Sequence, residues 1–486
     1  MTLVRRLLVV GAVLVCALAA ASVVLAASFG ANDDGATYAA DDGEAFYTEM
    51  AGIGLRQSVI SVRWTPSSAG AIPGADRLDK VVPVAVAHGI KVVFALYPYP
   101  PREIESGLAT PQAFAAWVRA VALRYPQVRQ FVVGNEPNQP AFWRPQFAAG
   151  GRNVSAPTFG AYLAAAYDAL KGIDPAIRVI GVGLSPRGND KPNAASNIST
   201  SPMRFLAALG AWYRTSGRTA PLMDGFSFHP YPNKATDALE TGYVWPGAGF
   251  ANLDRVKQAL WDAFHDTPQP TTLTGLQLYL DEVGWQVNTN YLSGYQNIEN
   301  VPTTDELTQA DIYTKLVRRA QCDPDVAEVN IFGFHDDGDR RGFQAALFRA
   351  DGTPRASADA MRRALQEPTT CPPVAPWSPA QAVVGSRQPR VMSGKRQIVV
   401  TSDVGEGVAA TVCAYPRNVS PTTAARLPAR AGGSAAVCVK TMLMPQRPTP
   451  LTLPRRPSLA RGGTIGLRLV AEANAARSTT YVVRFR

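Results

Sequence analysis

One stretch decides the fold of this 486-residue chain: Phe131-Val132-Val133-Gly134-Asn135-Glu136-Pro137-Asn138. Its first three residues are aromatic or β-branched, which is typical of a fully buried parallel strand. Pro137 favours an end to that strand, because proline has no N–H group to donate to a sheet. The stretch therefore predicts that Asn135 and Glu136 stand together at the carboxyl end of a strand.

A second apolar stretch, Leu278-Tyr279-Leu280-Asp281-Glu282-Val283-Gly284-Trp285, also has a glutamate at its end. Enzymes built on a (β/α)8 barrel carry their catalytic groups on the carboxyl rim of the strands. Two carboxyl groups about 5–5.5 Å apart can cleave a glycosidic bond with retention of configuration. Taken alone, each glutamate is better explained as a solvated charge. The prediction of a catalytic pair therefore depends on which strand of the barrel each glutamate follows.

Strand-like and helix-like segments alternate along residues 22–367, which predicts βαβ units and a parallel sheet. The predicted strands are residues 22–30, 59–64, 91–97, 131–135, 178–184, 225–229, 277–282 and 329–334. The predicted helices include residues 76–88, 111–124, 157–171, 202–215, 252–264, 304–320 and 357–366. The fold class is therefore an α/β (β/α)8 TIM barrel, with Glu136 after the fourth strand and Glu282 at the end of the seventh.

Asn135-Glu136-Pro137 after one strand and Glu282-Val283-Gly284-Trp285 after a later one resemble the clan A glycoside hydrolases, families 5 and 39 in particular. In that clan the glutamate of strand four is the acid/base and that of strand seven is the nucleophile. The resemblance implies these roles for Glu136 and Glu282. It implies no metal and no organic cofactor.

The same resemblance assigns substrate-binding and supporting residues. It places His229 and Tyr231, after the sixth strand, beside the nucleophile, and it directs the amide of Asn135 to the sugar 2-hydroxyl. The clan's arginine of strand two aligns with Val59, so Arg63 is a weaker candidate for that role. Strand eight lacks the clan's sugar-stacking tryptophan, which leaves Phe334 or His335 as a candidate for the cleft floor.

Aromatic side chains are frequent in the predicted rim loops, and sugar rings stack on such side chains. For any single one of them, ordinary packing explains the residue as well. The set comprises Trp64, Tyr97, Tyr99, Phe142, Trp143, Tyr243, Trp245, Trp285, Tyr291 and Tyr295. Tyr97 and Trp285 are the members selected as substrate-binding candidates. The acidic residues Asp336, Asp337 and Asp339 fit a solvated loop better than a calcium site.

The amino terminus resembles a secretory signal peptide over residues 1–21, with two arginines before an apolar run. An uncleaved membrane anchor is the alternative, since the apolar run continues to Ala27. Four cysteines outside this segment fit an oxidising location. Three pairings of them are open, and sequence position favours Cys322 with Cys371 and Cys413 with Cys438.

Residues 368–395 form a proline-rich linker, and residues 396–486 contain short strand-like runs typical of a small β-sandwich accessory domain. This last segment has 13 Lys and Arg against 3 Asp and Glu, so it carries the whole formal charge of +10. Such a surface favours an anionic cell-wall glycan as a partner. An arginine-biased solvated surface is the alternative, and no recognisable motif indicates nucleic acid.

The sequence thus predicts a secreted, retaining glycoside hydrolase that acts on an oligo- or polysaccharide. Two alternatives use the same residues. A glycan-binding scaffold would have lost activity, although both glutamates are present. A transglycosylase would pass the same covalent intermediate to a sugar acceptor instead of water.

Overall fold

The computed structural model describes residues 27–68, 70–373 and 375–379, together with seven short segments of the last domain. Those segments are residues 389–392, 397–401, 408–416, 437–443, 448–452, 464–471 and 478–484. The predicted signal peptide lies outside the described residues, and so does part of the predicted linker.

Eight parallel strands form a closed barrel in chain order, and β1 pairs with β8 to complete it. The strands are β1 Ser28–Asn32, β2 Gln57–Trp64, β3 Lys91–Pro98, β4 Gln130–Val133, β5 Arg178–Leu184, β6 Gly225–Phe228, β7 Gln277–Val283 and β8 Val326–Phe332. The predicted barrel is confirmed, and Glu136 and Glu282 lie at the fourth and seventh strands as the count required.

Nine α-helices lie in the part of the chain that the structure describes. They are α1 Glu44–Ile53, α2 Ala75–Ala87, α3 Pro101–Glu105, α4 Pro111–Arg124, α5 Ser155–Lys171, α6 Pro202–Thr215, α7 Leu253–Phe264, α8 Glu306–Gln321 and α9 Ala356–Gln366. Proline stands in the first turn of α4 and α6, where its missing N–H has no partner to lose. Helices α1 and α3 were not among those located by sequence. At the start of α1, the residue before the helix is Gly43, and the capping carboxylate comes from Asp41, which accepts from the N–H of Ala45 at 2.9 Å.

Two hydrophobic layers hold the barrel together. The larger lies between the strands and the surrounding helices and includes Phe94, Phe131 and Phe226. The smaller fills the barrel interior with Val59, Val93, Ala95, Tyr97, Val132, Ile180 and Tyr279. The interior is therefore a packed core, which restricts the functional groups to the rim.

The two ends of the barrel sequence differ from the prediction. Strand β1 is Ser28–Asn32 instead of residues 22–30, and residues 22–26 lie outside the described part. An apolar leader and a buried strand have the same composition, so only pairing with β8 fixes the boundary. Strand β8 ends at Phe332, two residues early, where Gly333 adopts a φ of +80° and turns the chain.

The last domain contains two antiparallel sheets, as the β-sandwich prediction requires. One sheet has the order β13-β10-β9 and the other β12-β11-β14-β15. The strands are β9 Arg390–Met392, β10 Gln397–Thr401, β11 Val408–Pro416, β12 Val437–Leu443, β13 Pro448–Thr452, β14 Thr464–Ala471 and β15 Ser478–Arg484. Side chains of both sheets, including Ile398, Leu451 and Leu469, share one buried cluster.

Both disulfides that sequence position favoured are present. Cys322, which caps the end of α8, is bonded to Cys371 beyond α9. Cys413 and Cys438 are directly opposite each other on β11 and β12 and form the second bond. A search of the described residues finds no helix with the length and apolar character needed to span a membrane.

Candidate active site

Backbone geometry at the end of β4 places Glu136 on the rim. Gly134 has a φ of +113°, and a Cβ atom there would lie 2.5 Å from the carbonyl oxygen of Val182. Glu136 itself has a φ of +41°, and its N–H donates to the carbonyl of Gly183 at 2.7 Å. A non-glycine residue in this region stores strain, which is common at functional sites.

We expect Gly134→Ala to destabilise the protein by ~2 kcal/mol or more, because the new methyl adds a backbone collision to the positive-φ penalty. Gly89→Ala is the matched control, since Gly89 has a φ of +70° with open space around its Cβ position. Urea denaturation would compare the two free energies of unfolding. Equal losses for both variants would show that the close approach at Gly134 is unimportant.

Glu282 lies near the end of β7, where the register between β7 and β8 shifts between Leu280 and Val283. Such a bulge lets adjacent side chains turn to the same side of a strand. A carboxylate oxygen of Glu282 lies within 4.8 Å of one of Glu136. The two glutamates that the sequence selected are thus brought together.

Two neutral groups donate hydrogen bonds to the carboxylate of Glu282. The hydroxyl of Tyr231 donates to Oε2 at 3.0 Å. The amide of Asn32, at the end of β1, donates to Oε1 at 3.4 Å and to the carbonyl of Asp281 at 3.1 Å. Hydrogen bonds of this kind stabilise the ionised form of a carboxylate.

His229 lies between the carboxyl groups and is almost fully buried. Its Nδ1 is 3.1 Å from Oε1 of Glu136 and 3.4 Å from Oε2 of Glu282. Its Nε2 is 3.4 Å from Oδ1 of Asp281, which also accepts a hydrogen bond from the hydroxyl of Ser227. Burial by itself lowers the pKa of His229, but the charges of Glu282 and Asp281 and the hydrogen bonds to Asp281 and Glu136 raise it well above its usual value. The ring is therefore an imidazolium at neutral pH and donates from both nitrogens.

The glutamate pair holds a proton up to neutral pH. Burial is the main reason that the pKa of Glu282 rises to about 7, and the charges of Glu136 and Asp281 raise it further, while His229 and Tyr231 oppose the rise. Two carboxylates this close share one site, so the proton lost near neutrality belongs to the pair. Glu282 accepts hydrogen bonds from Tyr231 and Asn32, and its Oε2 lies 3.4 Å from Nδ1 of His229, which is hydrogen-bonded to Glu136.

A cavity of about 440 Å³ lies over the pair. Glu136, Tyr231 and Tyr243 line it together with residues of the loops after β5, β6, β7 and β8. Its volume falls in the range of sites that bind small molecules or single sugar units. The cavity can therefore hold a ligand against Glu136, whose carboxylate lies within 4.8 Å of that of Glu282.

Several predicted substrate-binding residues lie away from this cavity. Trp285 is 1% exposed, and its indole N–H donates to the carbonyl of Asp237 at 2.8 Å. Tyr97 is 4% exposed in the barrel interior and accepts a hydrogen bond from Nε of Arg63 at 2.9 Å. His335 follows the early end of β8 and contacts Glu49 of α1 at 3.0 Å. In the structure these three side chains contact protein groups, and sugar contact by them stays a prediction.

Arg63 and Asn135 have different surroundings. Arg63 is exposed, and the partners that the structure gives it are Tyr97 and the ring of Tyr99, not Glu282. The clan arginine's supporting position is taken by Asn32 instead. Asn135 is half-buried next to Glu136, and among the described residues its side-chain amide has no partner. It is free to bind a ligand, as the resemblance implied.

Sequence reasoning missed Asn32, Asp281 and Ser227 as members of the site. The predicted first strand ends at residue 30, and an end for β1 at Asn32 would have placed this residue on the rim. Asp281 directly precedes Glu282 and reads as a second strand-end carboxylate. No local pattern shows that it turns towards His229, because that contact depends on the β7 bulge and on β6.

Glu136, His229 and Glu282 could also present three metal-ligand atoms within 4.8 Å. In this structure these atoms contact one another instead, with Nδ1 of His229 at 3.1 Å from Oε1 of Glu136. The acidic loop after β8 is occupied by protein donors: Asp336 pairs with Arg355 and Asp339 with Arg341. The calcium interpretation of that loop therefore gains no support.

No protein-family model matches the sequence, and neither does any curated protein. Solved structures with a similar fold include a family 39 glycoside hydrolase from Bacteroides cellulosilyticus WH2, at 15% identity and a TM-score of 0.48 over 88% of this chain and 81% of that one. A GH39 β-xylosidase from Caulobacter crescentus has 15% identity and a TM-score of 0.45 over 89% and 94% of the two chains. A GH10 endoxylanase from a sugarcane soil metagenome has 14% identity and a TM-score of 0.44 over 70% and 97%. What this chain does is argued from its own site, not from these similarities.

Proposed function

We propose that this protein is a retaining glycoside hydrolase acting on an oligo- or polysaccharide. The observation that carries the proposal is the pair Glu136 and Glu282, with carboxylate oxygens within 4.8 Å at the carboxyl rim of a closed barrel. That separation fits the retaining geometry of about 5–5.5 Å and is too short for the 6.5–9.5 Å of inverting enzymes, which hold a water between the groups.

In the first step, an oxygen of Glu282 attacks the anomeric carbon while the bond to the leaving oxygen breaks. Glu136 gives its proton to that oxygen, so the leaving alcohol departs neutral and Glu136 becomes a carboxylate. Tyr231, Asn32 and His229 orient Glu282 and keep it ionised for the attack. The amide of Asn135 is placed for the sugar 2-hydroxyl, a contact that strengthens in the transition state.

In the second step, Glu136 removes a proton from water as the water oxygen attacks the anomeric carbon. The ester bond to Glu282 breaks, which regenerates the Glu282 carboxylate and the protonated Glu136. His229 stays protonated throughout and stabilises whichever glutamate is charged. A sugar acceptor in place of water would give transglycosylation through the same intermediate.

The test is proton NMR of the first-formed product from a panel of β-linked and arabinose-containing substrates. Retention of anomeric configuration supports the proposal, and inversion contradicts the assignment of Glu282 as nucleophile. Added sugar acceptors separate the transferase alternative, since longer products would appear. A saccharide that binds but is not cleaved would favour the scaffold alternative.

The pair predicts the basic limb of the pH profile. The active form carries one proton, which is present below the pKa of about 7 and lost above it. We therefore expect kcat/KM for a substrate with a poor leaving group to fall as pH rises through about 7. A dinitrophenyl glycoside, whose leaving group needs no proton, should lack this limb. The same limb with both substrates would contradict the assignment of Glu136 as acid.

Tyr231→Phe removes a hydrogen bond to charged Glu282 and should lower kcat/KM by roughly 10- to 100-fold. Tyr38→Phe is the control, since Tyr38 is an exposed tyrosine away from the cavity. A kcat/KM for Tyr231→Phe equal to that of Tyr38→Phe would remove Tyr231 from this role.

The proposal includes export from the cytoplasm. Two disulfides in one chain favour an oxidising compartment. The signal-like segment of residues 1–21 supports the same location. Binding of the C-terminal domain to an anionic cell-wall glycan stays a prediction, because most of the arginines behind it lie outside the described residues. Fractionation of expressing cells separates a secreted protein from one held by an uncleaved anchor.

A further inference from the structure

The wall of the cavity over the glutamate pair is rich in positive charge. Three cationic side chains line it, Arg187, Lys234 and Arg341, whereas the one lining carboxylate is Glu136. Arg341 is neutralised by Asp339 at 2.5 Å. Arg187 and Lys234 form no ion pair with any carboxylate in the part of the chain that the structure describes, so their charges are available to a ligand.

Arg187 is held in place by its backbone and its guanidinium. Its carbonyl accepts hydrogen bonds from the side-chain amides of Asn138 and Gln139, at 3.4 Å and 2.5 Å. Its Nη1 donates to the carbonyl of Asn233 at 3.3 Å, which joins the loop after β5 to the loop after β6. The remaining guanidinium N–H groups keep the forked geometry that suits a carboxylate or sulfate.

Lys234 directly follows Asn233 in the sequence. The hydrogen bond from Arg187 to the carbonyl of Asn233 therefore places Lys234 on the same side of the cavity as Arg187. Its backbone N–H donates to Oδ2 of Asp237 at 3.0 Å, which fixes the turn. The buried Trp285 in turn binds the carbonyl of Asp237. The loop that contains Lys234 is thus held by Trp285, which lies two residues after β7.

Tyr243 supplies an independent indication of a ligand. Its side chain lines the same cavity, and its buried hydroxyl has no hydrogen-bond partner among the described residues. A buried polar group without a partner costs free energy, so such a group is expected to be satisfied when the site is filled. A saccharide oxygen bound next to Arg187 would provide that partner.

We propose that the substrate is an anionic saccharide, with a sugar carboxylate or sulfate bound by Arg187 and Lys234 beside the glutamate pair. The inference rests on the proposed glycosidase function and names its substrate class. The glutamate pair keeps a negative charge, which repels an anion, so an anionic sugar needs fixed positive charge elsewhere in the cavity wall. A neutral sugar needs no such charge, and the two unpaired cations would have no partner in its complex.

The test compares aryl β-glycosides that differ only at C6: the hydroxyl, the 6-sulfate and the carboxylate, in the gluco and galacto series. We expect wild-type kcat/KM to be higher for an anionic member than for its neutral counterpart. Arg187→Gln and Lys234→Gln should each lower the ratio of anionic to neutral kcat/KM by about tenfold or more. Arg144→Gln is the matched control, because Arg144 is an exposed arginine of the neighbouring β4 loop outside the cavity lining.

The outcomes separate the two proposals. Cleavage of neutral glycosides with an unchanged ratio in Arg187→Gln and Lys234→Gln overturns the anionic substrate and leaves the glycosidase function standing. If no glycoside is cleaved, calorimetry of glucuronate- and sulfate-bearing disaccharides and their neutral analogues decides. Binding selective for the anionic sugars and lost in Arg187→Gln supports the anion site while contradicting hydrolysis. Absence of selective binding contradicts both.

Discussion

Glu282→Ala is expected to lower kcat by about 10⁴-fold or more, because it removes the atom that forms the covalent intermediate. The two-step route is then closed, and donors such as Tyr231 face a cavity where the carboxylate stood. Added azide should restore turnover by direct attack on the vacated face, giving a glycosyl azide of inverted configuration. Steady-state kinetics and NMR of the azide product measure both effects.

Glu136→Ala is the matched variant, since it alters the other member of the same pair. In Glu136→Ala, kcat/KM should fall by about 10²- to 10⁴-fold with a poor leaving group and only slightly with a dinitrophenyl glycoside, whose leaving group needs no proton. With the dinitrophenyl glycoside the second step, which lacks its general base, becomes limiting for kcat. Azide should then give a product of retained configuration by attack on the intermediate. If Glu282→Ala gave the retained product and Glu136→Ala the inverted one, the two roles would be exchanged.

Arg355→Met is expected to lower the free energy of unfolding by ~3–5 kcal/mol, because it leaves a buried carboxylate without its cation. Arg355 and Asp336 are both fully buried, with Nη1 and Nη2 of the arginine at 2.9 Å and 2.5 Å from the two carboxylate oxygens. Nε of Arg355 also donates to Glu306 at 3.2 Å, which ties α9 to α8. Urea denaturation followed by circular dichroism measures the loss.

Arg362→Met, within α9, is the control for Arg355→Met, since Arg355 is the N-cap residue of the same helix. Arg362 pairs with Asp359 at 2.9 Å, but both side chains are exposed, so the pair should contribute ~1 kcal/mol or less. A combined Asp336→Leu and Arg355→Met variant should regain part of the loss, because no unpaired charge then stays buried. A loss in Arg355→Met no larger than that in Arg362→Met would show that the buried pair is not a determinant of stability.

Sequence alone determined the barrel and the position of Glu136 and Glu282 at its fourth and seventh strands. Apolar runs such as Phe131 to Val133 and Leu278 to Leu280 are local signals, because burial on both faces of a parallel strand imposes the same composition everywhere. Proline and glycine at helix ends fixed most helix boundaries for a similarly local reason. Chain position also predicted the cysteine pairing. One bond joins the end of α8 to the segment after α9, and the other joins the paired strands β11 and β12.

Only the tertiary structure decided which side chains surround the glutamate pair. Asn32 reaches Glu282 because the barrel closes β1 against β8 and β7, at the far end of the sequence. Asp281 turns to His229 because the register of β7 shifts at that point. The side chain of Trp285 is buried, and its indole N–H donates to the carbonyl of Asp237. From its position after Glu282, the sequence predicted sugar contact. Composition and spacing carry information about a residue's own segment. Burial and charge at the rim depend on contacts between loops that follow different strands, and no local sequence pattern predicts those contacts.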